Sequence, residues 1–394
     1  MTAPPLPYPI EREADLEPPA EFARLRADQP VAPVRMPSGD IAYLVTRYDD
    51  VRVVLSDPAF SADRSRPGAP RPVAINRDDS MMSKDGHEHA RLRGLISRAF
   101  TPRRVEGLRG RMRQIVDELL DAMAAAGPPA DANLALARPL PMTVLAEMLG
   151  VPSVDRARVH TLAEAMTSLT ARGPAEMAAA QQAMRAYAAE LIAGKRESPG
   201  DDLLSAMITA HDEQDRLTGS ELVSQMVLLF VAGYETTMNQ IGNSLVALLR
   251  DPDHLAPLRA DPALIGPAVE ELLRHDPPGD SGQFRIAVTD VELSGTRIPA
   301  GSAVLAVIPA ANRDERRFPD PDRLVVTRDG APHLSFGHGP HYCLGATLVR
   351  MELGVLLSSL IGRFPGLRLG VAPGELRWRK GYRLGGYAEV PLVW

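Results

Sequence analysis

The stretch FGHGPHYCLG, residues 336–345, holds the only cysteine of the 394-residue chain. Gly337, Gly339 and Pro340 exclude a regular strand or helix just before Cys343. After it, Leu344, Leu348, Met351 and Val355 recur at helical spacing, which predicts a helix over roughly 344–363. Cys343 is therefore placed where a tight turn feeds a helix N-terminus. Amide N–H groups there favour a thiolate, the form that binds metal. Glycines at 337, 339 and 345 would let the backbone approach a flat, bulky group closely. Two other chemistries use the same residues. A lone cysteine can be a small buried hydrophobe, and His333, His338, His341 and Cys343 could build a zinc or copper site. The spacing H-x-x-H-x-C accounts for neither Phe336 nor Gly345.

One cysteine excludes an internal disulfide framework, so nothing calls for an oxidising compartment. The lead over residues 1–20 is proline-rich and acidic, without the apolar stretch of a signal peptide. The most apolar internal run, MVLLFVAGY at 226–234, is too short to span a bilayer and reads as buried helix. A soluble, cytoplasmic chain with no membrane partner is expected. The net charge of −6 gives no overall footprint for nucleic acid. Residues 91–113 nevertheless carry eight arginines against one glutamate. That segment is either a solvated helical face or a docking patch for an acidic protein.

VAPVRM and IAYLVT flank PSGD, the pattern of a β-hairpin. Helical periodicity then dominates: 105–127, ending at Gly127, 174–194, 220–250 and 262–275. A second β patch is expected at 284–308, where DVELSGTRIPAG alternates around a glycine turn. Residues 61–84 read as a long non-periodic loop, with Met82 near its end as an adaptable apolar contact. No repeat or composition break divides the chain, so one mainly α domain with small β-sheets over 1–394 is expected.

FGHGPHYCLG resembles, position by position, the haem-binding loop of the cytochrome P450 monooxygenases, F-G-x-G-x-H-x-C-x-G. The resemblance implies the single-domain cytochrome P450 fold. Haem b would lie between the long 220–250 helix and the cysteine loop with its helix, with Cys343 as axial thiolate on iron. Phe336 would pack near the sulfur, and Gly337 and Gly345 would contact the cofactor. Three further stretches agree with the family's patterns. Ala232-Gly233-Tyr234-Glu235-Thr236-Thr237 matches A/G-G-x-D/E-T-T/S, which implies an acid–alcohol pair, Glu235 and Thr236, handling protons for dioxygen. Glu271 and Arg274 form E-x-x-R on a helix, with Arg323, or else Arg328, as third structural member. His89, Arg93, Arg285 and His341 match the family's partners for the haem carboxylates.

By the same resemblance the chain is an oxidoreductase that inserts one oxygen atom into a small molecule, by hydroxylation or epoxidation, in secondary metabolism. Electrons would come from a ferredoxin and its ferredoxin reductase, docking on the 91–113 arginines. Met82, Leu228, Val231, Ala232, Ser281 and Gln283 are expected to contact substrate, with lids at 61–84 and 165–185. Oxidative coupling of aromatic rings without oxygen insertion is the second enzymatic reading, and a haem-free histidine–cysteine metal protein is the remote one.

Overall fold

The computed structural model describes residues 4–66, 79–168, 170–212, 217–330 and 332–394. The helix Gly219–Leu249 runs through its centre: 31 residues, about 46 Å at ~1.5 Å per residue. Its start is fixed by a reciprocal cap. Thr218 Oγ1 accepts from the Glu221 amide at 3.2 Å, and Glu221 Oε2 accepts from the Thr218 amide at 2.8 Å. Arg91 closes the cap from outside by pairing with Glu221. Most of the helix is buried, because Pro139–Leu149, Arg156–Met166 and Pro174–Glu197 pack along it. An apolar pattern wider than one stripe is what such an all-round contact demands.

The predicted hairpin forms, with Val31–Arg35 antiparallel to Ile41–Val45. It belongs to a six-stranded sheet in the order Leu6–Pro7, Val31–Arg35, Ile41–Val45, Ala303–Ala306, Gln283–Ala287, Phe60–Ser61. The pairing Gln283 to Ala306 and Arg285 to Val304 fixes the register at the site. Two-residue alternation then sends Gln283 and Arg285 to the same face. The second hairpin also appears, Val291–Leu293 with Thr296–Ile298, turning through Ser294 and Gly295 at positive φ.

Several expectations change in detail. The helix expected at 105–127 is two helices, Pro102–Gly107 and Arg109–Ala126, broken at Leu108, and Gly127 ends the second at φ +75°. The proline-rich lead is bound rather than trailing. Arg12 donates to both carboxylate oxygens of Asp280 at 2.6 and 2.9 Å and lies 3.5 Å over the Trp378 ring. Of the loop expected at 61–84, residues 67–78 lie outside the described residues, and Met81–Ser83 form a single helical turn.

The E-x-x-R pair is buried and anchors the approach to the cysteine loop. Arg274 Nε and Nη2 donate to Glu271 at 2.7 and 2.9 Å, and Nη1 donates to the carbonyls of Asn312 and Pro321. The third member is Arg328, whose Nε donates to Glu271 Oε1 at 2.9 Å. Arg323 is exposed and contributes only its backbone carbonyl to Arg274 and Arg328. The D-P-D-R segment turns that side chain outward, and Arg328 arrives one turn later.

Candidate active site

The cysteine loop is built on its own backbone. The Gly337 amide donates to Leu334 O at 2.7 Å, Tyr342 to Gly339 O at 3.0 Å, and Cys343 to Phe336 O at 2.8 Å. Gly337 and Gly339 take φ +75° and +71°, a region other residues enter at a cost. A Cβ on Gly339 would meet Ser56 Cα at 2.8 Å and Leu55 O at 2.9 Å. That glycine is therefore required by the helix Tyr48–Ser56 behind the loop, not by a bound group in front. A Cβ on Gly345 would point into open space at the cavity wall, which suits close approach of a ligand.

Cys343 is a free thiol at the start of the helix Ala346–Arg363. Burial pushes its pKa up, against the Gly345 amide and the charges of Arg93 and Arg350, which favour the thiolate. The helix-terminus effect expected from sequence is thus outweighed by burial in the free thiol. Arg350 holds the loop from outside. It grips Glu270 at 2.6 and 2.9 Å and lies 4.5 Å over the Phe336 ring.

The histidines do not gather round the sulfur. His333 Nε2 lies 3.3 Å from Glu270, and His341 Nε2 lies 3.8 Å from Asp85. Among the described residues, no three His, Cys, Asp or Glu side chains are arranged to hold a metal ion. The bare zinc or copper site is not assembled.

In front of Cys343 lies a cavity of about 1710 Å³, open mouth included. His89, Arg93, Arg285 and His341 all line it. Arg285 is 5% exposed, yet its guanidinium donates to the Phe284 carbonyl, and no carboxylate pairs with it among the described residues. Burial lowers its pKa to about 10. His89 stacks on His341 with ring centres 4.1 Å apart. Burial, then His341 and Arg93, drive its pKa down to about 4. Arg93 donates to the Tyr342 carbonyl at 2.8 Å, tying the helix Gly86–Ser97 to the loop. Burying cations without counter-ions is costly. Two guanidinium groups without carboxylate partners, Arg93 and Arg285, with two histidines beside them and a buried thiol opposite, fit a flat, soft-metal group that carries carboxylates, as haem does.

A second cavity, about 1750 Å³ with its open mouth included, shares the wall of the first. Met82, Leu228, Ala232, Thr236, Ser281 and Gln283 line both, and Val231 lines the second. The six positions expected from sequence to contact substrate, Met82, Leu228, Val231, Ala232, Ser281 and Gln283, all line the second cavity. Ser281 Oγ donates to Arg383 O at 2.6 Å, so its proton is already committed. Thr236 Oγ1 donates to Ala232 O at 2.7 Å, which leaves the hydroxyl oxygen free to accept a bond from the cavity.

Glu235 points elsewhere. It lines neither cavity and is fully buried, and neither carboxylate oxygen has a hydrogen-bond partner. His160 Nδ1 and Arg379 Nη2 each approach to 3.9 Å. Burial raises its pKa to about 7, with Arg379 opposing. Sequence reasoning also missed Glu352, a buried acid on the cavity wall whose pKa burial raises to about 8. Its place on an otherwise apolar helix face was the available signal.

A cavity between a long buried helix and a cysteine loop, with Arg93 and Arg285 unpaired on its wall, fits a thiolate-ligated redox protein. The family model "Cytochrome P450" matches residues 142–367. Nocardicin C N-oxygenase of Nocardia uniformis subsp. tsuyamanensis is 47% identical over 98% of both chains. Mycinamicin IV hydroxylase/epoxidase of Micromonospora griseorubida is 45% identical over the whole of both chains. Among solved structures, the putative thioether synthase SgvP, involved in the tailoring step of griseoviridin, superposes with a TM-score of 0.97 at 46% identity, covering both chains completely. A cytochrome P450 with biaryl coupling reactivity gives 0.92 at 40%, covering 98% of this chain and 99% of its own. The chain belongs to the cytochrome P450 family. Its cofactor is therefore haem held through a cysteine thiolate, and dioxygen is its co-substrate. No helix among the described residues is long and apolar enough to cross a membrane.

Proposed function

We propose that this enzyme hydroxylates or epoxidises a small molecule of secondary metabolism in the cytoplasm, with electrons from a separate ferredoxin and its reductase. The observation that carries this is Thr236, whose hydroxyl faces the junction of the two cavities and is held by Ala232. Relatives named as an N-oxygenase and a hydroxylase/epoxidase support the same reaction class.

Cys343 supplies the metal ligand, while Arg93, Arg285, His89 and His341 receive the cofactor's carboxylates. Phe336 and Gly345 line the cavity beside Cys343 and would border the cofactor there, whereas Gly337, expected from sequence to contact it, shapes the loop without lining the cavity. Bound haem supplies the activation of dioxygen. Thr236 orients a hydrogen bond toward that side of the cavity. Glu235, with its pKa near 7, holds a proton that it can release at neutral pH. Leu228, Val231 and Met82 keep bulk water from the substrate, and Gln283 offers a polar contact.

The arginine-rich segment supports an acidic redox partner. Arg91, Arg109 and Arg111 are engaged with Glu221, Glu106 and Glu147. Arg98, Arg103, Arg104 and Arg113 are exposed and form no ion pair among the described residues. Four free guanidinium groups on the cysteine side suit a small acidic ferredoxin. Similarity to the biaryl-coupling structure favours a second reading, oxidation without oxygen insertion. Product mass separates them: a gain of one oxygen supports the first, a dimer the second. The founding test is the carbon monoxide spectrum of reduced wild type and Cys343→Ser. A red-shifted Soret band is expected in the former alone.

A further inference from the structure

The second cavity has a charge pattern that the reaction itself does not require. Arg64, Arg185 and Arg383 line it, and no aspartate or glutamate does so among the described residues. Arg185, partly buried on the helix Pro174–Glu197, is the informative one. Its guanidinium Nη1 donates to Ser224 Oγ at 3.0 Å, and it joins no ion pair among the described residues. Its own helix places no acid one turn away either. The three- and four-residue neighbours are Gln181, Gln182, Ala188 and Ala189. Nearby surface arginines behave differently: Arg158, Arg172 and Arg196 all pair with carboxylates.

The position of this cation along the cavity is set by the central helix. Ser224, Leu228, Val231 or Ala232, and Thr236 follow one another on a single helical face, and all line the cavity. Ser224 and Thr236 are twelve residues apart, about 18 Å along the helix axis. Leu228, Val231, Met166 and Met177 make the cavity apolar through its middle, and Arg185 lies at the end remote from Thr236, whereas Arg64 sits over the Phe284 ring and Arg383 adjoins Ser281. A guanidinium on a low-dielectric wall without a counter-ion selects an anionic oxygen pair and repels an amine.

We propose that the substrate carries a carboxylate, and that Arg185 receives it at the far end of the cavity while an apolar body extends toward Thr236. This rests on the monooxygenase reading above. Arg185 is accordingly a specificity-determining residue, and amine-bearing substrates of the same size are disfavoured.

The test uses the haem-loaded enzyme and two probes, dodecanoate and methyl dodecanoate, titrated by the Soret shift and by calorimetry at low salt. The wild type is expected to bind the acid about tenfold more tightly than the ester, the effect of roughly 1.4 kcal/mol. Arg185→Gln should weaken the acid and not the ester, erasing the preference, while Arg185→Lys keeps part of it. Equal binding of the two probes, no binding of the acid, or a preference that survives Arg185→Gln overturns the proposal. Carbon monoxide spectra of all three proteins keep the two claims apart. A wild type without the thiolate–haem band would sink the monooxygenase reading, whereas a normal band without acid preference rejects only the role of Arg185.

Discussion

Glu235 and Thr236 are adjacent on the central helix, about 100° apart round its axis, and meet different surroundings. The threonine hydroxyl looks into both cavities and is bonded to Ala232 O at 2.7 Å. The glutamate is buried behind it, 3.9 Å from both His160 and Arg379. An acid–alcohol pair legible as two neighbouring letters is therefore split across the helix wall. Thr236 lines the cavities, and Glu235 is packed toward His160 and Arg379. Replacing Thr236 by alanine should reduce product formation by roughly ten- to a hundredfold. Carbon monoxide spectra and substrate-induced spectral shifts should stay as in wild type. Undiminished product would remove the hydroxyl from the reaction.

Glu235 also makes stability depend on pH. Its pKa is raised from 4.5 to about 7, so the folded protein favours the neutral acid. The stabilising share of that state is present in full below about pH 4.5 and is lost as pH rises through about 7. Glu235→Gln, which cannot ionise, should gain in melting temperature relative to wild type between pH 5 and 7, with the gap levelling above pH 8. A gap that stays constant over this range would contradict the burial argument.

The two arginines near Glu271 should separate cleanly. Arg328→Ala removes one member of a buried network and should cost about 3 kcal/mol in denaturant unfolding. Arg323→Ala removes an exposed side chain whose backbone carbonyl remains, and should stay within about 0.5 kcal/mol.

Gly339 and Gly345 should fail in different ways. Alanine at 339 meets Ser56 Cα at 2.8 Å from a φ of +71°, so about 1–3 kcal/mol of stability should be lost. Alanine at 345 meets no protein atom within 4 Å. It should leave the apoprotein's unfolding unchanged and reduce haem content, measured by the pyridine haemochrome.

Charge reversal tests the proposed docking face. Arg104→Glu and Arg113→Glu should raise the KM for an acidic ferredoxin severalfold at low salt, with the difference shrinking as salt is added. Arg111→Glu should have less effect, because Glu147 already neutralises that arginine. Substrate-induced spectral shifts serve as the control.

The local grammar of this chain was carried by its sequence. Glycine and proline placed the turn before Cys343, helical spacing placed the segment after it, and two-residue alternation placed both hairpins. Cys343, Thr236 and Arg285 could be singled out because each sits inside a short dense motif, and the positions expected to contact substrate line the second cavity. What sequence left open is the direction of side chains whose partners are distant in the chain. Arg328 rather than Arg323 reaches Glu271, Gly339 yields to the helix Tyr48–Ser56, and Glu235 turns from the cavity toward Arg379. Arg185 gave no sequence signal, since lacking a counter-ion is a property of everything packed around a charge. Turns and periodicity are set by neighbours a few bonds away. Burial, desolvation and the pairing of charges are set by whichever elements the fold brings together, and only the tertiary structure decides those.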